Sequence, residues 1–157
     1  MTPIYAHSTP QEKYLFHIFR AETAGQVSGE FKGTFWSVDV PQACQLHPAI
    51  WHSARAIASL QMRQRTVHGL MQHYGGEGLK QYIQAIGHLI QATQKTDPSF
   101  EEPSLILMAT VLLLGFASLR GNFNEVEFFA SHGLQLFTKW NFRERAERWK
   151  QSLTGKE

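Results

Sequence analysis

Apolar residues recur at intervals of three and four along most of this chain, and no segment shows sustained two-residue alternation bounded by turns. That pattern predicts an all-α fold. The first helix opens on Thr9-Pro10-Gln11-Glu12, a threonine cap with proline at the first helical position and glutamate three residues after the cap. Its expected stripe is Tyr14, Leu15, Ile18 and Phe19, and Gly25 and Gly29 offer places to stop. A shorter helix runs from Thr34 through Phe35, Trp36 and Val40 to Pro41, whose missing amide kinks or ends it; the pattern resumes over Ala43 to Leu46. After His47-Pro48, an amphipathic stripe of Ile50, Trp51, Ala54, Ile57, Ala58 and Met62 continues to about Gln64. Gly75, Gly76 and Gly78 read as a flexible turn, followed by a stripe of Leu79, Tyr82, Ile83, Ile86, Leu89 and Ile90.

Asp97, Pro98 and Pro103 mark the next connection. Ser104 to Leu119 is apolar on nearly every face, the mark of a helix surrounded by others, and is expected at the centre of the fold. Its uninterrupted run, Leu105 to Ala117, falls short of the roughly 18 residues of a membrane span, so no membrane span is expected. Gly121 suits a left-handed turn position and Asn122 the cap of a helix in which Val126, Phe129, Ala130, Leu134 and Phe137 face inward. A polar last helix spans about Phe142 to Leu153. The expected architecture is therefore a layered array of about six to seven helices packed as helical hairpins. The 157 residues suit a single domain with its core over about 9–140 and a polar C-terminal helix over 141–157. The roughly 34-residue self-similarity of a helical solenoid is absent.

Charge is unevenly placed. From Lys139 to Glu157 there are six basic groups and three acids, so this tail is +3 and the remainder of the +2 chain is −1. Arg143 and Glu147, and Glu144 and Arg148, lie four apart, the spacing of surface ion pairs on a solvated helix rather than of a phosphate-binding face. The one cysteine, Cys44, excludes a disulfide framework and a four-cysteine zinc site. Polar residues interrupt the first turns after Met1, so no secretory signal is expected and the chain is placed inside the cell, in cytoplasm or nucleus.

The sequence contains no G-x-S-x-G elbow, and the glycines at 75, 76 and 78 lack the strand before and the Lys and Ser or Thr after that a phosphate loop needs. Metal-binding helices place imidazoles three or four apart, whereas His47 and His52, like His68 and His73, are five apart; no metal and no cofactor are expected. Cys44 with His47 could form a thiolate and base, against the plainer reading of a small buried cysteine. His52 and Arg55 share a helix face beside Trp51, and with Trp36 they could line an aromatic cavity for a small apolar ligand with a polar handle. Core packing explains the same residues. Arg120, at the end of the most apolar helix, is a further ligand candidate or a C-terminal cap.

Several segments read together resemble a known family. Phe16-His17-Ile18-Phe19 with Thr23-Ala24, then Phe35-Trp36, then His47-Pro48-Ala49-Ile50-Trp51-His52-Ser53-Ala54, then Tyr82-Ile83-Gln84-Ala85-Ile86, and lastly Leu112 to Asn122 with Gly133-Leu134, are similar in order and spacing to the fungal-specific domain of Zn2Cys6 transcription factors. The resemblance covers about Tyr14 to Phe137 and implies a helical, regulatory, ligand-responsive or partner-binding module. The family's zinc cluster uses six cysteines and this chain has one, so direct nucleic-acid binding through a zinc cluster is not expected. Trp51 stands where an arginine is common in the family, and Pro41 interrupts a helix that often runs on. The expected partner is a small apolar molecule or a protein, and the apolar end faces of a short helical array would also suit a homodimer. The alternative is a small cofactor-independent enzyme on the same scaffold, a cyclase, isomerase or dehydratase acting on an apolar natural product, with His52 as its acid or base.

Overall fold

The computed structural model describes residues 3–29, 33–65, 68–94, 102–139 and 151, with side chains for all of these except 64, 65, 68–73, 75 and 102. The expected connection at Asp97-Pro98, the paired charges of the tail, the helix over 142–153 and the side chains of His68 and His73 lie outside that description.

The protein is all-α, and no strand occurs among the described residues. A short 3-10 turn, Ile4–His7, precedes α1 (Pro10–Ile18), a wide π-type turn (Phe19–Thr23) and α2 (Ala24–Ser28). A second wide turn (Phe35–Asp39) leads into α3 (Val40–Cys44), followed by α4 (Pro48–Arg65), α5 (His68–Thr93), α6 (Glu102–Arg120) and α7 (Phe123–Lys139). Helices α4 and α5 form one hairpin and α6 and α7 another, stacked through α4 and α6, while α1, α3 and the first wide turn pack on α4.

Both helix caps read from the sequence are present. Thr9 Oγ1 accepts from the Glu12 amide at 3.2 Å and the Glu12 carboxylate accepts from the Thr9 amide at 3.2 Å, which closes the capping box. Gly121 takes φ 72°, a conformation that a Cβ would strain, and Asn122 Oδ1 accepts from the Glu125 amide at 3.2 Å to start α7. Pro41, expected to kink or end a helix, instead sits at the start of α3, which continues directly from the wide turn. The π-type turn over Phe35–Asp39 changes the backbone hydrogen-bond spacing just before the missing proline amide, so the chain passes into α3 without ending.

The central helix is α4, not α6. Every side chain from Ala49 to Gln61 except His52 is buried. The polar residues that made α4 look amphipathic are absorbed within it: Ser53 Oγ donates to the Ala49 carbonyl at 2.6 Å and Ser59 Oγ to the Arg55 carbonyl at 2.9 Å. Helix α6 packs on α4, α5 and α7 but leaves Val111 and Leu119 exposed. Its window from Pro103 to Arg120 has mean hydropathy 1.7 and is long and apolar enough by composition to cross a membrane, a longer stretch than the run counted from sequence. Buried Ile106, Ala109, Leu112, Leu113, Phe116 and Ala117 make it a core helix of the bundle.

The glycines at 75, 76 and 78 do not form a turn, because α5 runs straight through them. A Cβ on Gly78 would lie 3.2 Å from Ser59 Cβ and 3.5 Å from the Ala56 carbonyl, so this glycine lets α5 approach α4 closely. The face of α5 that carries Gly78 continues through Tyr82, Ala85, Leu89 and Ala92, all buried, while Leu79, Ile83 and Ile90 point to solvent. Of the stripe expected in α7, Val126 and Phe129 face the core and Ala130 is half-buried, whereas Leu134 and Phe137 are exposed and Gly133 and Leu136 complete the inward face. A Cβ on Gly133 would sit 3.4 Å from Thr110 Cγ2, so glycine again sets the distance between two helices.

A pair of substitutions tests the α4–α5 seam. Gly76 is exposed, and a Cβ added there would meet open space, so Gly76→Ala gains about 0.5–1 kcal/mol of stability by helix propensity. Gly78→Val loses about 1–3 kcal/mol because α4 backbone and Ser59 must move. Urea unfolding followed by circular dichroism distinguishes the two; equal effects would place Gly78 outside any tight contact.

Candidate functional site

Of the residues singled out in the sequence, Trp51, His52 and Arg55 come together on α4, where one polar chain links three helices. The Arg55 side chain is 1% exposed, with Nη1 3.5 Å from the Glu12 carboxylate of α1 and Nη2 3.7 Å from the Glu77 carboxylate of α5. Its guanidinium lies 5.4 Å from the centre of the Trp51 ring. Both carboxylates stand beyond hydrogen-bond reach, and Arg55 Nε and Nη1 have no hydrogen-bond partner, so the hub is held by charge rather than by directed bonds. Burial pushes the guanidinium below its ordinary range while Glu12 and Glu77 oppose that shift.

From Glu77 the chain continues along α5. Gln81 Nε2 donates to the Glu77 carboxylate at 2.8 Å, which turns Gln81 Oε1 toward His52 Nδ1 at 2.6 Å. An amide oxygen accepts, so His52 carries its proton on Nδ1 and leaves Nε2 as an acceptor. The His52 ring stacks on His88 at 5.2 Å with an interplanar angle of 6°. Burial lowers the His52 pKa from 6.5, assisted by the charge of Arg55 and by His88 and opposed by the Gln81 bond and Glu12.

The pH dependence follows in sign. An unfolded chain protonates His52 near pH 6.5, whereas the fold holds it neutral to lower pH. Its contribution to stability is therefore complete above about pH 6.5 and is lost as pH falls from there toward the lower folded value. Comparing urea unfolding of wild type and His52→Gln between pH 8 and 5 isolates this group; parallel pH curves would contradict the assignment.

The remaining candidates have other partners. Trp36, half-buried in the second wide turn, packs edge-on to Phe35 at 5.0 Å. Arg120 is exposed at the end of α6, with its guanidinium 5.6 Å from the Phe116 ring. Phe116 stacks on Tyr82 at 4.6 Å, and the Tyr82 hydroxyl donates to Glu125 at 2.8 Å, so Arg120 caps a junction of α5, α6 and α7. The thiolate and base reading of Cys44 and His47 does not hold: Cys44 is buried with its thiol against the Ile50 carbonyl at 3.8 Å, and burial pushes its pKa upward. His47 Nδ1 instead accepts from the Ala49 amide at 3.2 Å in the first turn of α4.

A cleft of about 410 Å³ opens elsewhere, between the first wide turn and α2 on one side and α4 and α6 on the other. Ile57, Leu60, Val27 and Leu119 supply apolar walls, Gly115 leaves space in one wall, and the lining includes the polar but uncharged Thr23, Gln26, Gln61 and Ser118. Sequence reasoning did not select these residues. Glu77 and Gln81, which complete the polar chain, were also missed, although their four-residue spacing puts them on one face of a continuous helix. The signal was hidden by reading the neighbouring glycines as a turn. No protein-family model, no curated protein and no solved structure matches the chain.

Proposed function

We propose that this chain is a helical regulatory module, like the fungal transcription-factor domain its sequence resembles but without a DNA-binding cluster, which acts inside the cell by binding a small apolar ligand or a protein partner. The observation that carries the reading is the uncharged, chiefly apolar cleft between the N-terminal turn and the α4–α6 body. Its volume falls within the range of small-molecule sites, and its walls come from separate elements that a ligand could hold together. A wide π-type turn ends at Thr23 in the cleft lining, and such turns recur at functional sites.

The alternative, a cofactor-independent enzyme, has one observation in its favour: His52 is half-buried, kept neutral, and presents Nε2 as an acceptor. Incubation of the purified protein with an apolar metabolite extract separates the readings. Native mass spectrometry is expected to show a retained compound, while chromatography shows no new product. Many turnovers per protein, abolished by His52→Gln, would overturn the regulatory reading in favour of the enzyme.

A further inference from the structure

Resting on the ligand-binding reading of this cleft, we infer that its ligand is an uncharged, largely apolar molecule carrying a carbonyl or hydroxyl oxygen, received by the side-chain amide of Gln61. Gln61 is 7% exposed, lines the cleft, and sits on the last buried turn of α4. Its Oε1 is taken by the Thr23 hydroxyl, which also lies 3.4 Å from the Ile18 carbonyl. Its Nε2 is buried without a hydrogen-bond partner. Buried donors in folded proteins are nearly always paired, and an unpaired one beside a ligand-sized space calls for an acceptor. The terminal torsion of a glutamine is broad, so the amide can swing toward an oxygen in the cleft.

Three features narrow the class. Among the described residues, none that lines the cleft carries a charge, so an ion entering it would lose hydration without meeting a counter-charge there. Ser118, the hydroxyl on the α6 wall, is committed to the Leu114 carbonyl at 2.8 Å, and Gln26 is exposed at the rim. The directed polar contact inside the cleft therefore falls to Gln61. Finally, 410 Å³ far exceeds the roughly 30 Å³ share of one water, so the space is suited to more than a single bridging water.

The test uses the full chain and four probes of equal chain length: 2-decanone, 1-decanol, decanoate and decyltrimethylammonium, titrated by calorimetry. Gly115→Ala and Gly115→Val fill the cleft from α6. A Cβ at Gly115 would be 3.9 Å from Ile57 Cδ1, an ordinary contact, so the fold accepts it. Gln61→Met removes the amide and keeps its length. The ketone and alcohol are expected to bind at least tenfold more tightly than either ion. Gln61→Met should weaken the ketone by about tenfold, the worth of one hydrogen bond. The two Gly115 variants should weaken both uncharged probes in order of size. Should an ion bind as tightly as the ketone, or Gln61→Met bind the ketone like wild type, the assigned ligand class is wrong while the cleft remains the site. If all four probes fail to bind, or Gly115→Val binds them unchanged, the ligand-binding reading of the cleft falls with it.

Discussion

Truncating Arg55 to alanine is expected to lower the free energy of unfolding by about 3 kcal/mol, at the lower end of the cost of breaking a buried ion pair because both acidic partners keep some contact with water. The loss has three parts. Glu12 and Glu77, held toward one cation from α1 and α5, are left as two anions without it. The contact with Trp51 disappears, and the centre of α4 acquires a void. Because the guanidinium has unpaired donors, its net contribution is far smaller than the cost of deleting it alone. The triple substitution Arg55→Met, Glu12→Gln and Glu77→Gln should therefore recover most of the loss, as buried ion pairs exchanged for apolar groups often do. Urea unfolding at pH 7 reads both effects. A cost below about 0.5 kcal/mol for Arg55→Ala would mean that the cluster contributes nothing to stability.

Trp51→Ala is expected to cost about 3–5 kcal/mol, in the range of other large aromatic truncations. Trp51 is 2% exposed; its ring lies 5.0 Å from Phe16 of α1 and 6.4 Å, edge-on, from Tyr5. It therefore fastens the N-terminal helix and the turn before it to α4. The milder Trp51→Phe separates this role from ligand contact. If Trp51 is a packing residue, the melting temperature falls while affinity for 2-decanone stays as in wild type, since the cleft is lined by other residues. A loss of affinity with unchanged stability would restore Trp51 to the ligand site.

Local chemistry was legible in the sequence wherever it depends on near neighbours. Thr9 with Glu12 announced one cap, Gly121 with Asn122 another, and the three- and four-residue spacing announced helices throughout. Which face of each helix meets the core was less legible, since it depends on how closely two helices approach. Ile83 is 61% exposed while Ala85 and Ala92 are buried, because the face of α5 that carries Gly78 is the one turned toward α4 and the core. Hydrophobicity alone ranks these residues in the opposite order. The site divides in the same way. His52 and Arg55 were visible as neighbours on one helix, but Glu12, Glu77 and Gln81 reach them from other elements. The cleft was invisible because Thr23 and Gln61 are separated by 38 positions and meet only through the fold.

The burial of Cys44 gives the protein an internal clock. A thiol reacts as its thiolate, and this one is closed off between α3 and α4 with its ionisation disfavoured. Alkylation of the folded protein must therefore pass through an opening that exposes residue 44, and in the limit of fast reclosing its rate reports the free energy of that opening. Since this is the one cysteine in the chain, the signal comes from a single known position without any engineered label. Trapping kinetics with and without a bound compound would thus measure how far events in the cleft reach into the N-terminal half of the molecule.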